Sequence, residues 1–189
     1  PSTFAIEAPV GSPTLCFEKE GWVFADSCVT VTVKGESVSP EEKLVGYPQL
    51  TPGEFRFILT WQTGPADFDA HLAMPLDPGS DEVWSGNVVA GDGSASFELG
   101  CSAGCGPESI RVLSTNPGTY AFSVRNVSGT PDLGASAALV RVYDRTGLLH
   151  SVSISSASGS ASEPWWKVFT FDEATGIFTI LNQMSATGP

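Results

Sequence analysis

"FRFILTW", residues 55–61, decides the fold class. Phe55, Phe57, Leu59 and Trp61 share one parity, and Arg56 and Thr60 fall on the other. Alternation with a period of two marks a strand with one face on a core and the other toward solvent. The same period recurs along the chain. "CVTVTVK" sets Val29, Val31 and Val33 against Thr30 and Thr32, and "TYAFSVR" sets Tyr120, Phe122 and Val124 against Ala121, Ser123 and Arg125. "ALVRVYD", "HSVSIS", "WKVFTFD" and "GIFTIL" repeat it. Turn-forming residues separate these runs, as in "NPGTY", "TPDLG", "DRTG" and "DEATG". No window of useful length carries the period of an amphipathic helix. The pattern predicts an all-β, mainly antiparallel sandwich of Ig-like or jelly-roll type. Its expected core includes Phe57, Leu59, Trp61, Tyr120, Phe122, Val142, Val168 and Phe171.

Composition narrows the class of protein. The chain has 189 residues, 41% of them hydrophobic, enough to fill a sizeable core. Acidic residues outnumber basic ones 21 to 9, for a net charge of -12. Such a chain repels phosphate backbones and anionic lipid surfaces, so no nucleic-acid partner is expected. No apolar run approaches the roughly 20 residues of a membrane span, so no membrane insertion is expected. The sequence begins at Pro1 without a signal-peptide pattern, as a processed protein or an excised fragment would. A low charge content with many hydroxyl and small residues suits an extracellular or cell-surface β protein.

Two stretches bear on organisation. "GESVSPEEKLVGYPQLTPG", residues 35–53, is polar, Pro-rich and poor in strand signal. The expected division is therefore N-terminal strands in 1–34, a connection over 35–53 and the main sandwich over 54–189. "SSASGSAS", residues 155–162, reads as a loop within the main domain. "STFAIEAPVG", near the N-terminus, is short and apolar at Phe4 and Ile6. A terminal strand of this kind adds either to its own sheet or to a neighbour's, and head-to-tail addition builds filaments.

The four cysteines are Cys16, Cys28, Cys101 and Cys105. The local pairing, Cys16–Cys28 with Cys101–Cys105, is expected, since "CSAGC" is a short loop that a disulfide would close. The alternative is a zinc site using Cys101, Cys105 and a histidine.

The stretch with the most ligand-type side chains is "GPADFDAHLAMP", residues 64–75. Asp67, Asp69 and His71 share one parity, and Phe68 and Leu72 the other. Carboxylates two residues apart on a strand lie about 6.6 Å apart on one face and can converge on calcium. Glu108 and Asp92 are the candidates for completing such a shell. The spacing alone favours a solvated strand face, or an Asp67 that caps backbone N–H groups, and calcium is the alternative to it. Catalysis is not expected. Glycoside hydrolysis needs acids facing each other across a cleft, and neighbours on one strand point the same way. No Gly-x-Ser-x-Gly elbow or phosphate-cradling loop is present.

Trp165 and Trp166 in "PWWKVF" must point to opposite faces of a strand. One therefore faces away from the core, free to stack on a carbohydrate, to lie in an interface or to pack beneath a loop. "NVS" at Asn126–Ser128 is an N-glycosylation sequon, usable if the strand ends at Arg125.

From "FRFILTWQTGPADFDAHLAMP" onward the chain resembles a bacterial extracellular β domain built around "LTW" and "P-x-D-L-D-x-H-L" segments, related to the YfaP/DUF2135 group. "GPESIRV", "NPGTYAFSVRN", "ASAALVRVYDRTGLL" and "WWKVFTFDEATGIFTILN" follow in the family's order, so the resemblance covers roughly residues 50–183. It implies a non-enzymatic module of surface-protein arrays. One departure stands out. Where family members carry an acidic "D-x-D-D-T" segment, this chain has "FELGCSAGCGPE". The reading that results is a structural or adhesion subunit that associates with copies of itself. The alternative is a calcium- or carbohydrate-binding module.

Overall fold

The computed structural model describes residues 6–24, 28–35, 45–61, 67–76, 79–100 and 106–189. They are almost wholly β and divide into two units, residues 1–49 and 50–189. Among its described residues the first unit holds four short strands: β1 (Thr14–Cys16), β2 (Trp22–Phe24), β3 (Cys28–Thr30) and β4 (Gly46–Pro48). They form two antiparallel ribbons, β1 with β3 and β2 with β4. Cys16 lies directly opposite Cys28, and the two form the expected disulfide. Cys101 and Cys105 lie outside the described residues.

The second unit is the predicted sandwich. One sheet contains β6 (Phe68–Pro75), β7 (Ser80–Val83), β10 (Thr119–Asn126), β13 (Trp165–Asp172) and β14 (Ile177–Ser185), in the order β14-β13-β10-β6-β7. The other contains β5 (Phe55–Thr60), β8 (Ala95–Leu99), β9 (Glu108–Val112), β11 (Leu139–Asp144) and β12 (Gly147–Ser153), in the order β12-β11-β5-β9-β8. All the strand pairs are antiparallel.

Alternation in the sequence becomes burial in the core. Phe57, Leu59, Ile110, Val140 and Val142 of one sheet meet Leu72, Phe122, Val124, Trp166 and Phe169 of the other. Phe122 and Phe169 stack at 5.3 Å, and Phe57 meets both rings edge-on. Of the expected core residues, Trp61 alone is partly buried, packed against Phe68 at the core's margin. Tyr120 turns its hydroxyl back to residue 116, accepting the Asn116 N–H at 2.6 Å. A tyrosine bonded a few residues upstream at a strand's start is a corner device of Greek-key sandwiches.

Three expectations need correction. The stretch 35–53 is not wholly a connection, because β4 lies within it and pairs with β2. The main unit accordingly begins at Leu50 and not at residue 54. The second face of β5 is not wet. Arg56 is 2% exposed and Ile58 is fully buried. Arg56 tolerates burial because Glu98 accepts from its Nε at 2.7 Å and its Nη2 at 3.0 Å. Arg111, directly opposite Arg56, donates to both oxygens of Glu54 at 2.8 Å. Two arginines facing each other would repel, and the two glutamates remove that cost. Burial pushes the Glu54 carboxyl up, but bonds from Arg111 and the Thr51 N–H outweigh it and hold the group below its ordinary value.

Candidate functional site

The β6 strand has two different faces. Phe68, Ala70, Leu72 and Met74 point into the sandwich, as the parity of the sequence predicts. Asp69 and His71 point outward, yet they are only 9% and 4% exposed, so this is not a solvated strand face. The cover over His71 is aromatic. The His71 ring stacks on Trp84 at 5.1 Å, nearly parallel, and meets the Trp165 ring edge-on at 4.8 Å. Trp165 in turn lies beneath the Arg125 guanidinium, 5.6 Å from its centre. Two glycines close over the indoles. A Cβ on Gly188 would fall 2.9 Å from Trp165, and one on Gly86 would overlap Trp84.

Each polar group in this cluster has a definite partner or a definite lack of one. His71 Nδ1–H donates to Glu82 at 2.8 Å, across the β6–β7 pair. The Ser85 hydroxyl donates to Asp69 at 3.0 Å. These are two separate dyads. The imidazole bonds one acid and the serine a different one, so serine, histidine and acid do not form a single relay. His71 Nε2 and Asp67 Oδ1 are buried without a partner. Burial first, and then the charge of Asp69, raises the Asp67 carboxyl above its ordinary value. The backbone of Asp67, not its carboxylate, does the capping: its carbonyl accepts from Val127 N and Ser128 N.

Glu108 does not join Asp67 and Asp69. Glu108 shares the inward parity of Ile110 and Val112 and is 1% exposed. Its Oε2 accepts the Ala70 N–H at 2.8 Å. β7 pairs with β6 only from Leu72 to Pro75, so among the described residues that N–H lies on an edge with no strand beside it. Glu108 supplies the missing acceptor from the facing sheet, on the opposite face of β6 from Asp69. Asp92 is farther away. It accepts from Ser94 N and from Asn116 Nδ2, just before β10 begins, whereas Asp67 meets the chain just after β10 ends. Among the described residues, no three His, Cys, Asp or Glu side chains come together to hold a metal ion.

The remaining sites also find their places. Trp166 is the core member of the pair, and Trp165 is half-buried on the outer face. Trp165 packs against His71, Arg125 and Gly188, not beneath residues 155–162. It is Trp166 that reaches that region, donating its indole N–H to Asn182, which in turn bonds Ser156. The strand β10 runs through to Asn126, one residue past the expected end. The Asn126 amide donates to Pro131 O and accepts from Ser128 and Gly129, so it organises the turn that follows.

Sequence reasoning missed Glu82, Trp84 and Ser85. "SDEVWS" has too few apolar residues to announce a strand. Its signal is relational: Glu82 and Trp84 share a parity, and pairing of β7 with β6 places that parity beside His71. Comparison of the chain with family models, with curated proteins and with solved structures finds no match.

Proposed function

We propose that the chain is a non-enzymatic extracellular β-sandwich subunit, structural or adhesive in role, that assembles with copies of itself. One observation carries the reading. Among the described residues, five acids of the sandwich are engaged in structural contacts: Glu108 on a strand edge, Glu82 on His71, Asp69 on Ser85, and Glu54 and Glu98 on two arginines. The Cys16–Cys28 disulfide fits an oxidising compartment. No helix among the described residues is long and apolar enough to cross a membrane.

The test is negative-stain imaging and sedimentation of the purified chain, with and without a calcium chelator. Assemblies that survive chelation support the reading, and dispersed monomers under both conditions overturn it.

A second reading has one observation in its favour. Asp67 Oδ1 is buried without a partner beside a second carboxylate, as a cation ligand would be. If Asp67 and Asp69 hold calcium, adding the ion raises the melting temperature and Asp67→Asn abolishes the rise. An unchanged melting temperature excludes it.

A further inference from the structure

The sandwich has one guarded side and one open side. On the guarded side lie β7 and β8. The first is short and carries Asp81 and Glu82. The second is covered by the segment before it, through the bridge Val89–Ser96 and the bond from Phe97 N to Val88 O. Acidic edges and covering segments are the usual defences against unwanted strand pairing. On the other side lie β12 and β14, brought together by His150 and Phe178, whose rings are 5.0 Å apart. The loop residue Ser158 bridges to Gln183 and bonds Asn182 O and Met184 N, covering the C-terminal part of the β14 edge. From Ile177 to Leu181 that edge has no strand beside it among the described residues.

This open edge is apolar. Ile177 is 58% exposed, Ile180 43% and Leu181 40%, and on β12 Leu148 and Leu149 are exposed as well. It is also free of charge. Residues 147–162 and 177–189 contain no Asp, Glu, Lys or Arg, in a chain whose net charge is -12. Two copies of so acidic a protein repel each other at most contacts, and an uncharged side is where they can meet.

We infer that residues 177–181 of β14 form a two-fold interface with the same segment of a second copy, joining two five-stranded sheets into one. The inference rests on the self-associating reading and locates its contact. The segment "IFTIL" is self-complementary. Antiparallel pairing centred on Thr179 sets Ile177 opposite Leu181, Phe178 opposite Ile180, and Thr179 opposite itself. Apolar residues then meet on both faces, and a symmetric pair is closed with the β14 edge used up on both copies. The register ends at Leu181, where the Ser158 cover begins. Five paired residues bury less than the roughly 800 Å² per partner of a standard interface, so Leu148 and Leu149 on the neighbouring strand must extend the contact.

The experiment is sedimentation of the full chain and of two sets of variants. The first set is Ile177→Lys together with Leu181→Lys, both exposed positions, which puts like charges opposite each other at both ends of the register. Their dimer should dissociate at concentrations at least about tenfold higher than the parent's. The second set probes the register. Thr179→Cys should give a disulfide-linked dimer on mild oxidation, since opposed residues of an antiparallel pair lie about 4.5–5.5 Å apart. Ile177→Cys should not, because its two copies would lie about 13 Å apart. A parent chain that assembles, with both lysines leaving it assembled and no Thr179→Cys crosslink, overturns this interface while self-association stands. A parent chain that remains monomeric overturns both, and is the result expected if the edge takes a strand from a different protein.

Discussion

Asp67 shows how a single residue separates the two functional readings. Its carboxyl is raised by burial and by the neighbouring Asp69 charge. An acid with a raised folded pKa is harder to ionise in the folded state than in the unfolded one. Its destabilising effect is full above the folded pKa and vanishes below the unfolded value. Asp67→Asn should therefore raise the melting temperature at pH 7 and leave it unchanged at pH 3, as differential scanning calorimetry would show. A lower melting temperature at pH 7 in the presence of calcium would instead mark Asp67 as a ligand. Glu108 makes the opposite case. It accepts the buried Ala70 N–H, which lies beyond the pairing of β6 with β7. Glu108→Ala should cost about 1–3 kcal/mol in urea unfolding, the penalty for orphaning a buried donor, and Glu108→Gln, which keeps a carbonyl, should cost less. Both residues were visible in the sequence as acids near "GPE" and "DFD". Their roles were not, because a role depends on which face of β6 each approaches, and parity within one strand says nothing about an acid arriving from another sheet.

Among the elements, β13 and β14 of the first sheet were legible and their irregularities were not. Alternation in "WWKVFTFD" correctly sends the two tryptophans to opposite faces, Trp166 proving to be the inward one, yet the register of β13 with β14 shifts between Lys167 and Phe169. The cause is Asn182. It sits at φ 45°, a left-handed conformation that asparagine tolerates better than most residues. There its side chain accepts the Trp166 indole N–H at 2.9 Å and donates to Ser153 O and Ser156 Oγ. "TILNQM" offers no glycine or proline to signal this break. Asn182→Ala loses both the hydrogen bonds and the favourable backbone, and should cost about 2–4 kcal/mol in chemical denaturation. Asn182→Gly restores the conformation but not the bonds, and should recover about 1 kcal/mol of that loss. Equal costs for the two variants would place the whole effect in the side chain. The short elements β4 and β7 were invisible for a related reason. "GYP" and "SDEV" are too short to display a period, and their strand character comes from the partners they pair with.

For the whole molecule, the sequence predicts the all-β class because the large unit repeats one signal, an apolar face on each long strand. The small unit has no such redundancy. Its four strands are three residues each, in two separate ribbons. A two-stranded ribbon is marginal at best in water. What the first unit has instead is the bond between Cys16 and Cys28, placed where β1 and β3 meet. The two cysteines are 12 positions apart, and closing a loop of this size in the unfolded chain is worth about 3 kcal/mol. That is comparable to all the stability such short ribbons can have. Replacing both cysteines by serine should therefore abolish amide protection at Leu15, Val29 and Val31. Hydrogen exchange followed by mass spectrometry reads this directly, with the strands of residues 50–189 as the internal reference. Slow exchange at Val29 and Val31 in the serine variant would mean that packing around the buried Val31 and Tyr47, and not the crosslink, holds the ribbons in place.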